Sequence, residues 1–436
     1  MLQYKAKGDV YKLKNSGQIY GNLVIPDRYE GKSVAEIDIG AFRGLNRITS
    51  VQIPASIRKV EDRSFANCWS IQNIYIESGS RLEIIGDEAF LNCNVLTSIA
   101  IPDFVTRIGN AAFKNCWKFE SVSFSPNSVL MVIGEEAFLR CENLKSIDIP
   151  KNVVRIGSSA FYNCRELTDV SYPNGITIIE SSVFSDCAKL KLIVIPASVS
   201  IIENQAFTNC VSVREAVIIP NNVKKIENAA FSGCTNVPAV VFLSGSNLEK
   251  IGDTAFAGCK QLDTFELPSS IKTIGKGVFS SCYNLSNLNI PSSVIEIGTY
   301  AFAGCAGLTE ITFEEGISLT TLEEDVFSKC TGLKSIKIPD SVTEIKKGAF
   351  FGCNSLSAIM IPINVTYMGN YVFSNCTNLT SIYVARRAGL GLIKFGRHFL
   401  HDTNPKLKIY FPDMDTKNAY QERYPRHADK MFVTDY

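Results

Sequence analysis

Apolar residues return along this chain in one phrase, repeated with little change. At 89–109 the phrase reads AFLNCNVLTSIAIPDFVTRIG, and at 255–275 it reads AFAGCKQLDTFELPSSIKTIG. In the first copy the apolar positions are Phe90, Cys93, Leu96, Ile99, Ile101, Val105 and Ile108. The alternation in LTSIAI puts Ile99 and Ile101 on one side and predicts a short strand with one buried face. Pro102 closes that strand, because proline has no amide hydrogen to give a ladder. Val105 and Ile108 then precede Gly109, and their three-residue spacing predicts a turn-rich or short helical return. Asparagine or glycine precedes the cysteine in most copies, as at Asn67, Asn92, Gly258 and Gly304, and both tolerate left-handed backbone angles. The return is expected to bend there.

The phrase organises the whole chain. Phenylalanine stands three residues before cysteine at Phe65, Phe90, Phe113, Phe138, Phe161, Phe184, Phe207, Phe231, Phe256, Phe279, Phe302, Phe327, Phe350 and Phe373, which accounts for all 14 cysteines. Successive phenylalanines lie 23, 24 or 25 residues apart, and Phe42 extends the series backwards with Leu45 in the cysteine slot. A period in this range belongs to solenoids of the leucine-rich type. The longer intervals carry the inserts IESGSRL, FSPNSVL, FLSGSNL and FEEGISL in place of the proline, at one edge of the strand where a solenoid tolerates insertion. One unit exposes both flanks of its small apolar face, so only stacking on its neighbours offsets the entropy of ordering it. The expected product is an α/β repeat solenoid with one long parallel β-sheet along one face and turn-rich or short helical returns.

A cysteine at a fixed phase points inward beside phenylalanine and leucine, as a small polarizable filler with a weak thiol donor. Parallel side chains on neighbouring coils are poorly directed for a disulfide. No C-x-x-C pair exists for zinc. The thiols are therefore expected to be free.

The unit A-F-x-x-C-x-x-L-x-x-I-x-I-P-x-x-V-x-x-I-G, as it stands at 89–109 and 255–275, resembles the BspA type of leucine-rich repeat, and the likeness covers roughly residues 20–384. The resemblance implies a right-handed superhelix and a surface or secreted protein that recognises host proteins, partner cells or glycans, with no catalytic activity. Function follows from such a likeness only by analogy.

Three segments are expected: an N-terminal cap with a partial repeat over 1–41, the repeat array over 42–384, and a degenerate last repeat with a C-terminal cap over 385–436. VYKLK and QIYGNLVIP flank Asn15-Ser16-Gly17, which predicts a hairpin turn. At the other end Phe399 continues the phenylalanine phase, Asp402 takes the cysteine slot, KLKIYFP supplies a last strand, and a capping helix is expected from about Thr416 to Tyr424.

Composition excludes several classes of function. With 46% hydrophobic and 20% charged residues among 436, the chain can bury a large core, and no stretch reaches the roughly 18 apolar residues of a membrane span. Lysine plus arginine, 44, against 43 acidic residues leaves a formal net charge of +1, which argues against a nucleic-acid partner held on a broad basic face. MLQYKAKGDV has no apolar h-region, so no signal peptide is expected in it. All 3 histidines, His398, His401 and His427, fall in the last segment. HFLH would put two imidazoles on one helical face without a third ligand. GLGLIKFG has Lys394 where a dinucleotide loop needs its third glycine. DMDTKN lacks the glycine and closing glutamate of a calcium loop. No catalytic residue, cofactor or metal is expected.

Binding is then expected on the exposed face of the sheet. Most coils show small or polar pairs there, such as Ser121 with Ser123 or Asn287 with Asn289. Three successive coils instead present Leu192 with Val194, Ala216 with Ile218, and Ala239 with Val241. Aligned on three neighbouring strands, these would form an apolar strip for a protein or glycan ligand or for a second copy of the chain. The alternative is an intracellular protein-interaction scaffold, favoured by the absent leader and the free thiols.

Overall fold

In most repeats the chain passes through two strands, one of two to six residues and one of two, so that stacking builds two parallel ladders. The computed structural model describes residues 2–7, 10–15 and 19–434. It divides into two units, Met1–Arg214 and Glu215–Tyr436. In the first unit the longer strands run from Gly21–Val24 through Ile48–Ile53, Asn73–Ile76, Ser98–Ile101, Ser121–Phe124 and Ser146–Asp148 to Asp169–Ser171. The shorter strands, such as Arg107–Ile108 and Val132–Ile133, pair in a separate ladder. In the second unit the longer strands fall into groups, among them Val217–Ile219 with Ala239–Phe242, and Ala358–Ile361 with Ser381–Val384, Lys408–Phe411 and Met431–Val433.

The expectation of one long sheet is thus corrected, and the fold is a β-solenoid with little helix. Sequence pattern hid the second ladder because two residues are too few for alternation to show. Among the described residues before Lys408–Phe411, only the return after Ser381–Val384 holds a helical turn, the 3-10 segment Ala388–Leu390. Each return is a run of turns with two left-handed residues four apart, at Arg63 and Asn67, Glu88 and Asn92, Arg140 with Glu136, and so on. The second of each pair is the predicted bend before the cysteine. The first varies from arginine at 63 and glutamate at 88 to alanine at 111, threonine at 254 and glycine at 277, so its identity gives little sequence signal. A left-handed residue costs about 1–2 kcal/mol. It is tolerated because the turned amides reach the next coil: the N–H groups of Arg63, Phe65 and Asn67 donate to the carbonyls of Asp87, Ala89 and Leu91 at 2.9, 2.8 and 2.7 Å.

Phenylalanine rings stack along each unit. From Phe42 to Phe207 neighbouring ring centroids lie 5.0 to 5.8 Å apart with planes within 10°. From Phe231 to Phe373 they lie 5.2 to 6.0 Å apart. The cysteines do more than fill space. Cys282 Sγ donates to the Phe256 carbonyl of the preceding coil at 3.2 Å, and Cys305 to that of Phe279 at 3.0 Å. The same bond recurs from Cys68 to Cys210 in the first unit and from Cys259 to Cys376 in the second. Each such carbonyl also accepts the amide at its own coil's cysteine slot, as Phe256 accepts from Cys259 at 3.1 Å and Phe42 from Leu45 at 3.2 Å, so both lone pairs of a buried oxygen are used. All 14 thiols are free and buried.

At the start, Leu2–Lys7 pairs antiparallel with Val10–Asn15, which lies parallel to Lys32–Ile37. Ser16 and Gly17 of the expected hairpin turn lie outside the described residues, and Gly21–Val24 joins Ile48–Ile53 in the other ladder rather than Val10–Asn15. Glu36 is buried beneath this edge, with Lys7 Nζ at 2.7 Å from Oε1 and Lys12 Nζ at 2.6 Å from Oε2. Burial pushes its carboxyl up, but the hydrogen bonds from Lys12 and Lys7 outweigh that and hold it below its ordinary value of 4.5. A depressed carboxyl stabilises the fold above its unfolded pKa and loses that contribution as pH falls through the folded value. Acid titration below pH 4.5 should therefore loosen residues 2–37 before the rest, seen as early loss of amide protection. Glu36→Gln should remove that pH dependence while lowering stability at neutral pH.

The far end departs by one residue from its expected phase. Phe373 N–H donates to the Phe399 carbonyl as Phe350 N–H does to that of Val372, so Leu400 holds the phenylalanine slot and Thr403 the cysteine slot. Asp402 is instead the left-handed residue, with φ of 52°. HFLH is not helical. The strand Lys408–Phe411 is followed by the helix Met414–Arg423 and a further strand, Met431–Val433. Asp413 caps the helix by accepting from Thr416 N–H at 2.7 Å, which gives DMDTKN a structural role. Tyr420 and Tyr424 hydroxyls accept the N–H groups of Ile393 and Phe395 at 2.7 and 3.0 Å, so the helix satisfies an edge that no further strand pairs.

Candidate functional site

The inward residues of the longer strands are apolar and buried, so chemistry with the outside falls to the alternating outward residues. In the first unit these are mostly hydroxyls and carboxylates in register: Ser98 beside Ser121, Ala100 beside Ser123, Ser146 beside Asp169 and Asp148 beside Ser171. Leu192 and Val194 break the rule, 48% and 42% exposed, while Ile193 and Ile195 between and beyond them are buried. Residues 191–196 form no strand, so the expected third aligned strand is absent. In the preceding coil Tyr172 stands in the slot that Ile101 and Ile149 hold in their coils and Phe124 in another. Its ring meets Phe184 edge-on at 5.5 Å, and its hydroxyl is buried without a hydrogen-bond partner.

In the second unit Ile218 and Val241 are register partners on adjacent strands, 43% and 41% exposed. Ala216 and Ala239 are half-buried. Ala239 pairs with Thr264, where the apolar run stops.

A larger outward group lies on the last strands, which the sequence reading passed over. Met360 pairs with Tyr383, Tyr383 with Tyr410, and Tyr410 with Phe432. The Tyr383 and Tyr410 rings stack at 5.0 Å and 13°, Phe432 tilts against Tyr410 at 6.1 Å, and Lys408 Nζ lies 4.9 Å from the Phe432 centroid. Lys337 extends the row by a bridge to Met360. The phase of IMI, IYV and IYF places the first three in sequence; Phe432 was hidden because the pattern decays after Val384.

The four inserts stand at the strand ends and wall shallow grooves. One of about 360 Å³ lies between Glu77, Asp103 and Ser125, and one of about 570 Å³ between Glu314, Ile317 and Asp340. Their carboxylates serve the fold: Glu77 accepts from Ala55 N–H at 3.1 Å and Glu314 from Ser292 N–H at 2.9 Å. Among the described residues no group of three or more histidine, cysteine, aspartate or glutamate side chains is arranged to hold a metal ion. His398 stacks on Tyr371 at 5.5 Å, and His401 lies 2.9 Å from Asp402. Cys68, Cys305 and Cys376 are poor nucleophiles, since burial pushes the first up to about 11 and the other two to about 12. Among the described residues no helix is long and apolar enough to cross a membrane.

The structure resembles a leucine-rich repeat protein from Bacteroides ovatus, with 25% identity and a TM-score of 0.65 over 94% of this chain and 98% of that one. It also resembles the pneumococcal vaccine antigen PcpA, with 23% identity and a TM-score of 0.51 over 92% and 96% of the two chains. A leucine rich cell surface protein from Faecalibacterium prausnitzii aligns at 28% identity and a TM-score of 0.48 over 90% and 96%. No curated protein sequence matches the chain. The family model for the BspA type leucine rich repeat region matches in overlapping segments from residue 22 to residue 418. With inward phenylalanine and cysteine ladders recurring through both units and that model spanning them, the chain belongs to the BspA type leucine rich repeat family.

Proposed function

We propose that this protein is a non-enzymatic binding module, carried at a cell surface or secreted, that recognises a protein or glycan through the outward residues of its longer strands and of the segment 191–196 that takes a strand's place. The observation that carries the reading is the set of large apolar side chains at outward positions: Leu192 and Val194 in one unit, Ile218, Val241, Met360 and Phe432 in the other, each at least 36% exposed. Side chains of this size in water mark contact surfaces when they cluster. The titratable groups point the same way, since the thiols are buried and the insert carboxylates are bonded to neighbouring coils. The test is capture from matrix, cell-surface and glycan mixtures by the wild type, by Val194→Glu and by Ile218→Lys, each confirmed folded. Loss of capture in either variant is the expected result, and equal capture by all three moves recognition off these positions. Sedimentation of the same variants separates a ligand from a second copy of the chain: a homodimer held by these residues dissociates when they are charged. A second reading, an intracellular scaffold, is favoured by the lack of any disulfide among the 14 cysteines, since disulfides persist in oxidising compartments. A leader in the upstream reading frame decides against it.

A further inference from the structure

Both tryptophans of the chain, Trp69 and Trp117, directly follow a cysteine and stand two coils apart at the same phase, with Asn94 at that phase in the coil between. They are 52% and 48% exposed. Among the described residues no aromatic ring or cation lies over either indole. Each stands four residues before a longer strand, Asn73–Ile76 or Ser121–Phe124, at the entry to the ladder rather than among its outward residues. Asn94 does not stand up between them. With its amide turned to make its bonds, the nitrogen donates to the carbonyls of Asn92 and Asn115 at 3.1 and 2.9 Å. Lys118 N–H donates to the Asn94 carbonyl at 3.1 Å, which ties the turn of Trp117 to the middle one.

Spacing and charge select the ligand. The coils advance by 5.3 Å from Phe65 to Phe90 and by 5.3 Å again to Phe113, so the tryptophans that follow the first and last of these spring from points two such steps apart. An indole face is the negative side of the ring quadrupole and stacks on the polarised C–H face of a sugar ring. In the flat ribbon of a β-linked glycan of the cellulose or chitin type, each ring is turned over relative to the last. Alternate rings therefore present the same face, and they recur at the spacing of the two indoles. Charges around the platforms are of both signs, Arg47 and Lys118 against Glu142, with Glu120 and Lys145 paired at 2.8 Å, and the turn between the indoles, 93–97, carries none. That balance suits a neutral chain rather than a polyanion. Single-stranded nucleic acid also stacks on aromatic platforms, but it needs a positive groove for its phosphates. A protein partner needs an apolar core at the contact, and here a turn bearing an amide separates the rings. Half-buried Ser70 and exposed Gln72, beside Trp69, offer a hydroxyl and an amide to sugar hydroxyls.

From this geometry we infer that Trp69 and Trp117 form a platform for an extended, neutral β-linked glycan, which lays alternate sugar rings on the two indoles. The site is separate from the outward strand residues and does not depend on their being a binding surface.

Because the chain has only these 2 tryptophans, their fluorescence reports on this site alone. Titration of the full chain with cellohexaose and with chitohexaose is expected to move tryptophan emission to shorter wavelength, saturably, for at least one of them. Maltohexaose, whose α-linkages coil the chain, should leave the emission unchanged. Shortening the productive sugar to its disaccharide should weaken binding about tenfold or more, since only one indole is then covered. Trp69→Ala and Trp117→Ala, both at half-exposed positions and each confirmed folded by circular dichroism, should weaken the hexasaccharide by about the same factor, measured by calorimetry. No shift with either β-linked hexasaccharide, an equal response to maltohexaose or to the disaccharide, or calorimetric binding unchanged in both alanine variants overturns the inference. So does a shift produced instead by oligothymidine or by phosphatidylcholine vesicles. None of these outcomes bears on the strand-face reading, whose own variants are Val194→Glu and Ile218→Lys.

Discussion

Phe256→Ala should destabilise the protein by about 3–5 kcal/mol, measured by chemical denaturation of the variant against wild type. The ring is 1% exposed, stacks on Phe231 at 5.2 Å and on Phe279 at 6.0 Å, and meets Phe265 edge-on at 5.0 Å. Removing it opens a cavity between coils that cannot close, because the neighbouring backbones are tied by strand and turn hydrogen bonds on both sides. Tyr283→Ala, one coil on but 47% exposed, should change stability by less than about 0.5 kcal/mol. Near-neutrality of Phe256→Ala would mean that the phenylalanine column is not what holds the coils together.

The second large effect concerns the thiols. In the native protein a neutral thiol reagent should find almost none of the 14 cysteines, and after denaturation all of them. At pH 8 a thiol raised to about 11, as at Cys68, has roughly a thousandth of its population ionised, before access through the packed coil is counted. The same shift predicts an alkaline limit. A group with a raised folded pKa keeps its contribution below the unfolded value of 9.0 and loses it as pH rises through the folded one. With Cys68, Cys305 and Cys376 among the thiols shifted in that direction, the melting temperature should fall increasingly steeply above pH 9. Rapid native labelling, or a melting temperature flat to pH 11, would contradict the thiol ladder.

Much of this was legible in the chain because the repeat reports side-chain burial directly. Phe90, Cys93, Leu96, Ile99 and Ile101 are all inside, and the outward phase of Leu192, Val194, Ile218 and Val241 follows from the same alternation. Three features were not legible, for physical reasons. Arg107–Ile108 is too short a strand to show a period. Glu88 and Tyr300 sit at left-handed angles that their chemistry does not favour, held there by hydrogen bonds from one coil to the next. The thiol bond to the carbonyl 26 residues earlier, as from Cys282 to Phe256, depends on the stacking distance between coils, which no single repeat contains. At the candidate site, residues 191–196 form no strand although the periodicity predicts one, and the loss of phase after Val384 concealed Phe432 from a row whose other members the pattern already places outward.

The central claim is that recognition belongs to the outward residues of the longer strands. Amide hydrogen exchange of the protein with and without a captured ligand tests it most directly. The account predicts added protection at residues 192–195, 217–219, 239–242, 358–361, 381–384 or 408–411, with the turns that carry the phenylalanines unchanged. Protection confined to those turns, around Arg63 to Asn67 and their counterparts, would contradict it.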